Sequence, residues 1–176
     1  MTVGILALQG DFEAHAKILR KLDGTPREVR KPEDLDGLEA LVIPGGESTT
    51  MTLGIEREKL AGPLSDLIKS GIPTFGTCAG MILLSREHLG LLDVTTRRNA
   101  FGRQLQSFET ELEIDGGTMK AVFIRAPWVE DVGEGVEVLA EVEGHPVAVR
   151  QGNILAVAFH PELTDDARLH EWVLRA

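Results

Sequence analysis

Cys78 is the only cysteine in a chain of 176 residues. No intramolecular disulfide can form, and a reducing compartment fits. Basic side chains are also scarce: 18 Lys and Arg stand against 28 Asp and Glu, for a formal net charge of −10. That balance argues against nonspecific nucleic-acid binding, which needs clustered Lys and Arg. No apolar run approaches the ~18 residues of a membrane span. The first ten residues carry no basic side chain, so no secretory n-region is read there. His and Cys do not cluster at ligand spacing, so no metal is expected. Internal repeats, low-complexity segments and linkers are missing as well. What remains is a cytoplasmic protein with no membrane or nucleic-acid partner, 43% hydrophobic and 26% charged, ordinary values for a soluble globular chain. A chain of this length buries about 70% of its unfolded surface. One domain over residues 1–176 is the simplest account.

The first half alternates strand and helix. Val3–Leu8 is an apolar run fit for a strand buried on both faces. Asp11 is placed to cap a helix carrying Phe12, His15, Ala16, Leu19 and Leu22 at helical spacing, with Gly24 ending it. A short strand follows near Glu28–Arg30, then a buried strand over Glu39–Ile43, stopped by Pro44-Gly45-Gly46. A helical region spans about Ser48 to Lys69, interrupted near Gly54 and Gly62-Pro63. Ile72–Phe75 is the next strand. In the second half, residues 105–114, 118–124, 136–143, 145–150 and 154–159 read as strands with short turns at Asp115-Gly116-Gly117 and Glu143-Gly144. Residues 165–175 form a closing helix with Leu169, Trp172 and Val173 on its apolar face. The pattern predicts an α/β fold: three layers, a mainly parallel sheet with helices on both faces, antiparallel additions and one more core strand.

Cys78 lies in Gly76-Thr77-Cys78-Ala79-Gly80, between a strand and the apolar stretch Met81–Leu84. This is the thiol counterpart of the Gly-x-Ser-x-Gly nucleophile elbow. A β-carbon at Gly76 or Gly80 would crowd neighbouring backbone, and the helix N-terminus behind Cys78 favours a thiolate. A lone cysteine is otherwise read as a small buried hydrophobe; the elbow context reverses that. His160-Pro161-Glu162 closes the apolar strand 154–159. In extended backbone His160 and Glu162 share a face, so the carboxylate can fix the imidazole tautomer and steady the imidazolium. With Cys78 they form a Cys–His–Glu triad; alone, the tripeptide would be a turn with solvated side chains. In Pro44-Gly45-Gly46-Glu47-Ser48 the glycines leave N–H groups free to face a ligand, and Ser48 is placed to cap the next helix. One N–H from this loop and that of Ala79 would make an oxyanion hole.

These blocks resemble the class I, triad-type glutamine amidotransferases of flavodoxin-like fold. Leu8-Gln9-Gly10-Asp11-Phe12-Glu13-Ala14-His15, Pro44–Met51, Arg98-Asn99-Ala100-Phe101-Gly102-Arg103-Gln104, Phe123-Ile124-Arg125-Ala126-Pro127 and Phe159–Thr164 are similar to one branch. That branch is the glutaminase subunits of the ribose-5-phosphate-dependent pyridoxal 5′-phosphate synthases. The resemblance implies Cys78 as nucleophile, His160 as base and acid, and Glu162 as its orienting carboxylate. It implies Gly46 and Ala79 as oxyanion donors. Gly46, Glu47, Ser48, Arg98, Ile124 and Arg125 would hold L-glutamine, with Glu47 and Arg98 as candidates for its ammonium and carboxylate. Ammonia would pass to a separate synthase subunit in a hetero-oligomeric complex, with pyridoxal phosphate a product of that complex and not a cofactor of this chain, for which no cofactor is expected. Arg103 is left as structural or interface, His15 as surface or interface, and His88, His145 and His170 as surface side chains. Two other readings stay open at this point. An intracellular peptidase or chaperone-like hydrolase with a cysteine elbow would not release ammonia from glutamine. A non-catalytic regulatory subunit would not be alkylated at Cys78 by a glutamine-like electrophile.

Overall fold

Short apolar runs, with Thr74 and Thr77 the polar side chains among them, place the middle of the sheet beyond reach of water. The computed structural model describes residues 1–102 and 106–176. Along the chain lie β1 (Thr2–Leu6), α1 (Phe12–Lys21), β2 (Thr25–Val29), β3 (Ala40–Ile43), α2 (Ser48–Arg57), α3 (Ala61–Lys69), β4 (Thr74–Thr77) and α4 (Ala79–Leu84). The second half holds β5 (Val94–Arg97), β6 (Ser107–Ile114), β7 (Gly117–Ile124), β8 (Trp128–Val132), β9 (Glu137–Val142), β10 (His145–Gln151), β11 (Ile154–Val157) and α5 (Arg168–Arg175). Seven strands form the main sheet in the order β2-β1-β3-β4-β11-β10-β9. The pairs β1–β2, β1–β3, β3–β4 and β4–β11 are parallel, while β10 pairs antiparallel with both β11 and β9. Strands β3, β4 and β11 are buried at every residue, as strands covered on both faces must be.

The alternation along β4 shows what covers each face. Phe75 packs edge-on against the His15 and His170 rings, and the Thr77 hydroxyl lies 3.2 Å from His15 Nε2. That face therefore carries α1 and α5. A β-carbon on Gly76, between them, would point into Leu84 and Gly80 of α4; α4, with α2 against it, covers the other face. The three-layer α/β expectation holds.

Several local expectations are corrected. β2 begins at Thr25 rather than near Glu28, and β4 spans Thr74–Thr77 rather than 72–75. The helix break between α2 and α3 falls at Lys59, with φ 58°, not at Gly54 or Gly62-Pro63. Pro63 sits in the first turn of α3, where its missing N–H costs nothing. Gly24 does not take the left-handed position after α1. Asp23 does, with φ 62°, and the Gly24 N–H then donates to the Leu19 carbonyl at 2.9 Å. Asp11 occupies the N-cap of α1 without a side-chain cap bond. Strands β9 and β10 are antiparallel additions to the main sheet and β11 is the extra core strand. However, β6–β7 and β5–β8 form separate two-stranded sheets, and β5 and β8 were not anticipated. The Asp115-Gly116 turn, with φ of 50° and 77°, closes β6–β7 as a two-residue hairpin. The Arg103 assignment and the expected start of a strand at residue 105 lie outside the described residues. Among the described residues no helix is long and apolar enough to cross a membrane.

His15, expected at the surface or an interface, and His170, expected at the surface, are core residues. His15 and His170 are both 0% exposed, and their rings meet at 2.9 Å between His15 Nδ1 and His170 Nε2. Burial, then the neighbouring His170 and His160, hold His15 well below the ordinary histidine range, and burial pushes His170 down to about 4. His88 is exposed as expected; His145 is half-buried and stacked on Trp128. A base with a depressed folded-state pKa stabilises the fold above its unfolded value and loses that contribution as pH falls towards the folded value. Stability should therefore decline from about pH 6.5 downward. From pH 7 to 5, His170 alone should account for roughly 2 kcal/mol. We predict that urea unfolding at these two pH values shows this loss, and that His170→Leu reduces it. Equal pH dependence in the variant would refute the assignment.

Candidate active site

Parallel strands bring their carboxyl ends to one edge of the sheet, and there the chemistry-bearing segments meet. Gln9-Gly10 follows β1, Pro44-Gly45-Gly46 follows β3, Cys78 follows β4, and His160 lies just past β11. The Cys78 backbone has φ 50° and ψ −106°, a strained conformation for a residue with a β-carbon, costing of order 1–3 kcal/mol. Its N–H donates to the Val157 carbonyl at 2.8 Å, which ties the elbow to β11. Both elbow glycines are needed: a β-carbon at Gly80 would overlap the Ile43 carbonyl oxygen, and one at Gly76 would lie 3.0 Å from the Gly80 backbone.

His160 and Glu162 meet as expected, but not for the expected reason. Pro161–Leu163 is a 3-10 turn rather than extended strand. The turn folds the carboxylate back so that Glu162 Oε1 lies 2.6 Å from His160 Nδ1. The Glu162 side chain is wholly buried and that of His160 is 11% exposed. Burial opposes charge on His160, yet the Cys78 sulfur and the Glu162 carboxylate outweigh it and push the imidazole up to about 10. The ring is therefore protonated at neutral pH. An adjacent imidazolium is the setting that makes a cysteine nucleophilic.

The β3 loop packs tightly on this pair. A β-carbon at Gly45 would lie 2.6 Å from His160 Cε1. The Gly45 carbonyl accepts from the Asp11 N–H at 3.3 Å, and the Glu47 N–H donates to Gln9 Oε1 at 2.7 Å. Glu47, not Ser48, caps α2. Its carboxylate accepts from the N–H groups of Thr49 and Thr50 at 3.1 and 2.7 Å. The Thr50 hydroxyl is the largest of the contacts that pull Glu47 down to about 2. Ser48 is instead the buried first residue of the helix. Arg98 Nη2 reaches Glu47 Oε1 at 3.1 Å, and both side chains are about half exposed. The two residues expected to read opposite ends of an amino acid thus neutralise each other in this structure.

A cavity of about 430 Å³ joins these parts. Cys78, Ala79 and His160 lie on its wall with Gly46, Glu47 and Ser48, and across it are Arg98, Ile124 and Arg125. Glu162 does not reach it and stands behind His160. Strand β7 supplies the far wall: the His160 N–H donates to the Val122 carbonyl at 2.8 Å, and the Ile124 carbonyl lies 3.9 Å from Cys78 Sγ. Arg125, at φ 44°, directs its N–H to the Gln106 carbonyl. Sequence reasoning gave no role to Asn99 and Ile82, which also line the cavity, or to Gln9 behind the loop. Gln9 and Asn99 fall inside motif blocks, but nothing in their spacing distinguishes them.

The sequence profile of the SNO glutamine amidotransferase family matches residues 5–176. The chain belongs to this family. Among family relatives, the pyridoxal 5′-phosphate synthase subunit PdxT of Mycobacteroides abscessus is 53% identical over 96% of this chain and 93% of that protein. PdxT of Thermosipho africanus is 51% identical over 99% and 97%. A solved glutamine amidotransferase structure, 48% identical, superposes with a TM-score of 0.94 over 98% of this chain and 97% of that one. PurLQS of Thermotoga maritima, at 17% identity and a TM-score of 0.77 over 99% and 95%, shares the fold alone. The fold is the flavodoxin-like class I glutamine amidotransferase fold.

For a family member with its Glu47–Arg98 pair at the cavity mouth, we predict that Arg98→Ala raises the KM for glutamine about tenfold, ~1.4 kcal/mol. The pair is solvated, so melting temperature should hardly move. An unchanged KM would return Arg98 to a surface role.

Proposed function

We propose that this chain is the glutaminase subunit of a pyridoxal 5′-phosphate synthase, hydrolysing L-glutamine to L-glutamate and delivering ammonia to a synthase subunit. The observation that carries the reading is a lone thiol on a strained elbow, opening on a cavity beside an imidazole bound at 2.6 Å to a buried carboxylate. The PdxT names of the relatives support the synthase assignment. In the proposed reaction the Cys78 thiolate attacks the side-chain amide carbon of glutamine, with His160 holding the proton. Negative charge moves to the amide oxygen, where the Gly46 and Ala79 N–H groups would receive it; one such donor is typically worth ~3 kcal/mol. His160 gives its proton to the departing nitrogen, the C–N bond breaks, and ammonia leaves. Water, deprotonated by His160, then attacks the glutamyl thioester, releasing glutamate and restoring the thiolate. Glu162 does no bond-making; it orients His160 and stabilises its charge. Glu47, Ser48, Arg98, Ile124 and Arg125 would hold the amino-acid end. For Glu47 and Arg98 this requires their mutual contact to open or to be shared with the substrate.

Cys78→Ala is predicted to abolish ammonia release, by at least about a thousandfold, without unfolding the protein; activity within tenfold of wild type would remove the triad. Glu162→Gln should cost less than His160→Ala, because the carboxylate acts through the ring. An equal or larger loss in folded Glu162→Gln would contradict the roles given.

Ammonia released with no acceptor subunit would be protonated in bulk water. The Gly45–Gly46 peptide can rotate at little steric cost, turning an N–H towards or away from the oxyanion position. We predict that the isolated chain is a poor glutaminase and that saturating synthase subunit raises kcat about a hundredfold, more than it lowers KM. Full activity of the chain alone would refute this gate while leaving the triad intact.

A further inference from the structure

The triad carboxylate has a second oxygen, and what faces it is a histidine the proposed chemistry does not use. Glu162 Oε1 is taken by His160. Oε2 is buried and, among the described residues, has no hydrogen-bond partner. The nitrogen facing it is His15 Nε2, 3.5 Å away. His15 is itself fully buried, with Nε2 also 3.2 Å from the Thr77 hydroxyl and Nδ1 2.9 Å from His170 Nε2. His170 Nδ1 ends the row, buried and without a partner among the described residues. Phe75 closes the site edge-on to both rings.

Proton counting decides how this row is wired. Both rings are held neutral at pH 7, so each carries one N–H, and the 2.9 Å contact between them needs one proton. If His15 supplies it from Nδ1, His15 Nε2 becomes a lone pair beside a carboxylate oxygen. The Thr77 hydroxyl can then answer that lone pair, but Oε2 has no donor. The His170 proton then falls on Nδ1, a buried donor with no acceptor. If His170 supplies it from Nε2, the His15 proton is on Nε2, pointing at Thr77 and Glu162. Left over are a ring-nitrogen lone pair on His170 and the proton of the Thr77 hydroxyl, which is free to rotate. An unmet buried ring N–H and an unmet oxygen of a charged carboxylate cost more than an unmet weak acceptor and a neutral hydroxyl whose proton can rotate.

We propose that His15 is a positioning residue of the triad, presenting its Nε2–H to the outer oxygen of Glu162, with His170 setting the tautomer that allows it. This rests on the triad reading above. Hydrogen-bonded at Oε1 and faced by an N–H at 3.5 Å from Oε2, the carboxylate keeps its charge and its aim at His160 Nδ1. Without His15 it is left buried with one donor, free to rotate or to take a proton, and the imidazolium it supports is weakened.

The test uses the complex with the synthase subunit for kinetics and the isolated chain, labelled with ¹⁵N-histidine, for spectroscopy. His15→Phe should lower kcat about tenfold or more with the glutamine KM within twofold. His15→Gln, whose amide N–H can reach towards the same oxygen, should stay within about threefold of wild type in kcat. Long-range ¹H–¹⁵N correlation at pH 7 should show both His15 and His170 protonated on Nε2. Unchanged kcat in folded His15→Phe, equal losses in both variants, or a proton on His15 Nδ1 would each overturn the proposal. The tautomer and the His15→Gln result still decide if His15→Phe does not fold. The tautomer is read without turnover, so a failure of the triad reading, seen as activity in Cys78→Ala, is distinguishable from a failure here.

Discussion

Gly80 rests against the carbonyl oxygen of Ile43 with no room for a β-carbon, and the candidate site depends on that contact. It seats α4 directly on β3. With the helix there, the chain between β4 and α4 must turn within one residue, and that residue is Cys78 at φ 50°. The same seating holds the elbow beside the loop that leaves β3, so that a β-carbon on Gly45 would lie 3.2 Å from that of Cys78. The Cys78 N–H bond to Val157 then brings in β11, and with it His160. Strain at Cys78 is thus carried by backbone contacts on two sides, as sparsely populated conformations require.

The site is graded in polarity. At its inner end Glu162, His15 and His170 are buried with few partners, so each proton position matters and each lost partner is expensive. At its outer end Glu47 and Arg98 are half in water, where an ion pair contributes little and exchanges readily. The proposed reaction, with a fixed base and a charged amino acid that enters and leaves, would be served by that order. The aromatic group formed by Phe101, Phe108 and Phe123, with Phe123 against Phe159, braces the β6–β7 hairpin. The hairpin in turn sets the Ile124 carbonyl over the thiol.

Much of this was legible from the residues. The elbow was, because glycine at Gly76 and Gly80 answers a steric demand that local sequence already expresses. The pairing of His160 with Glu162 was anticipated, although through the wrong backbone: a proline after His160 permits both extended chain and a 3-10 turn, and only contact with β7 and α1 selects the turn. The cap of α2 was misassigned to Ser48 because Glu is a poor cap on propensity, whereas here Thr49, Thr50 and Arg98 all converge on its carboxylate. The histidines of α1 and α5 were misread most clearly. A histidine at helical spacing looks the same whether it faces water or another histidine from 155 positions away.

The sequence by itself determined the class of fold, the cysteine elbow and the set of residues that can surround it. These follow from period, from glycine placement and from chemical type, which are local properties. Tertiary structure alone decided which polar groups meet. Glu47 pairs with Arg98 across 51 positions, and Glu162 faces His15 across the sheet edge. Those encounters are set by sheet order and helix seating, and no local pattern encodes the distance between two ends of a chain.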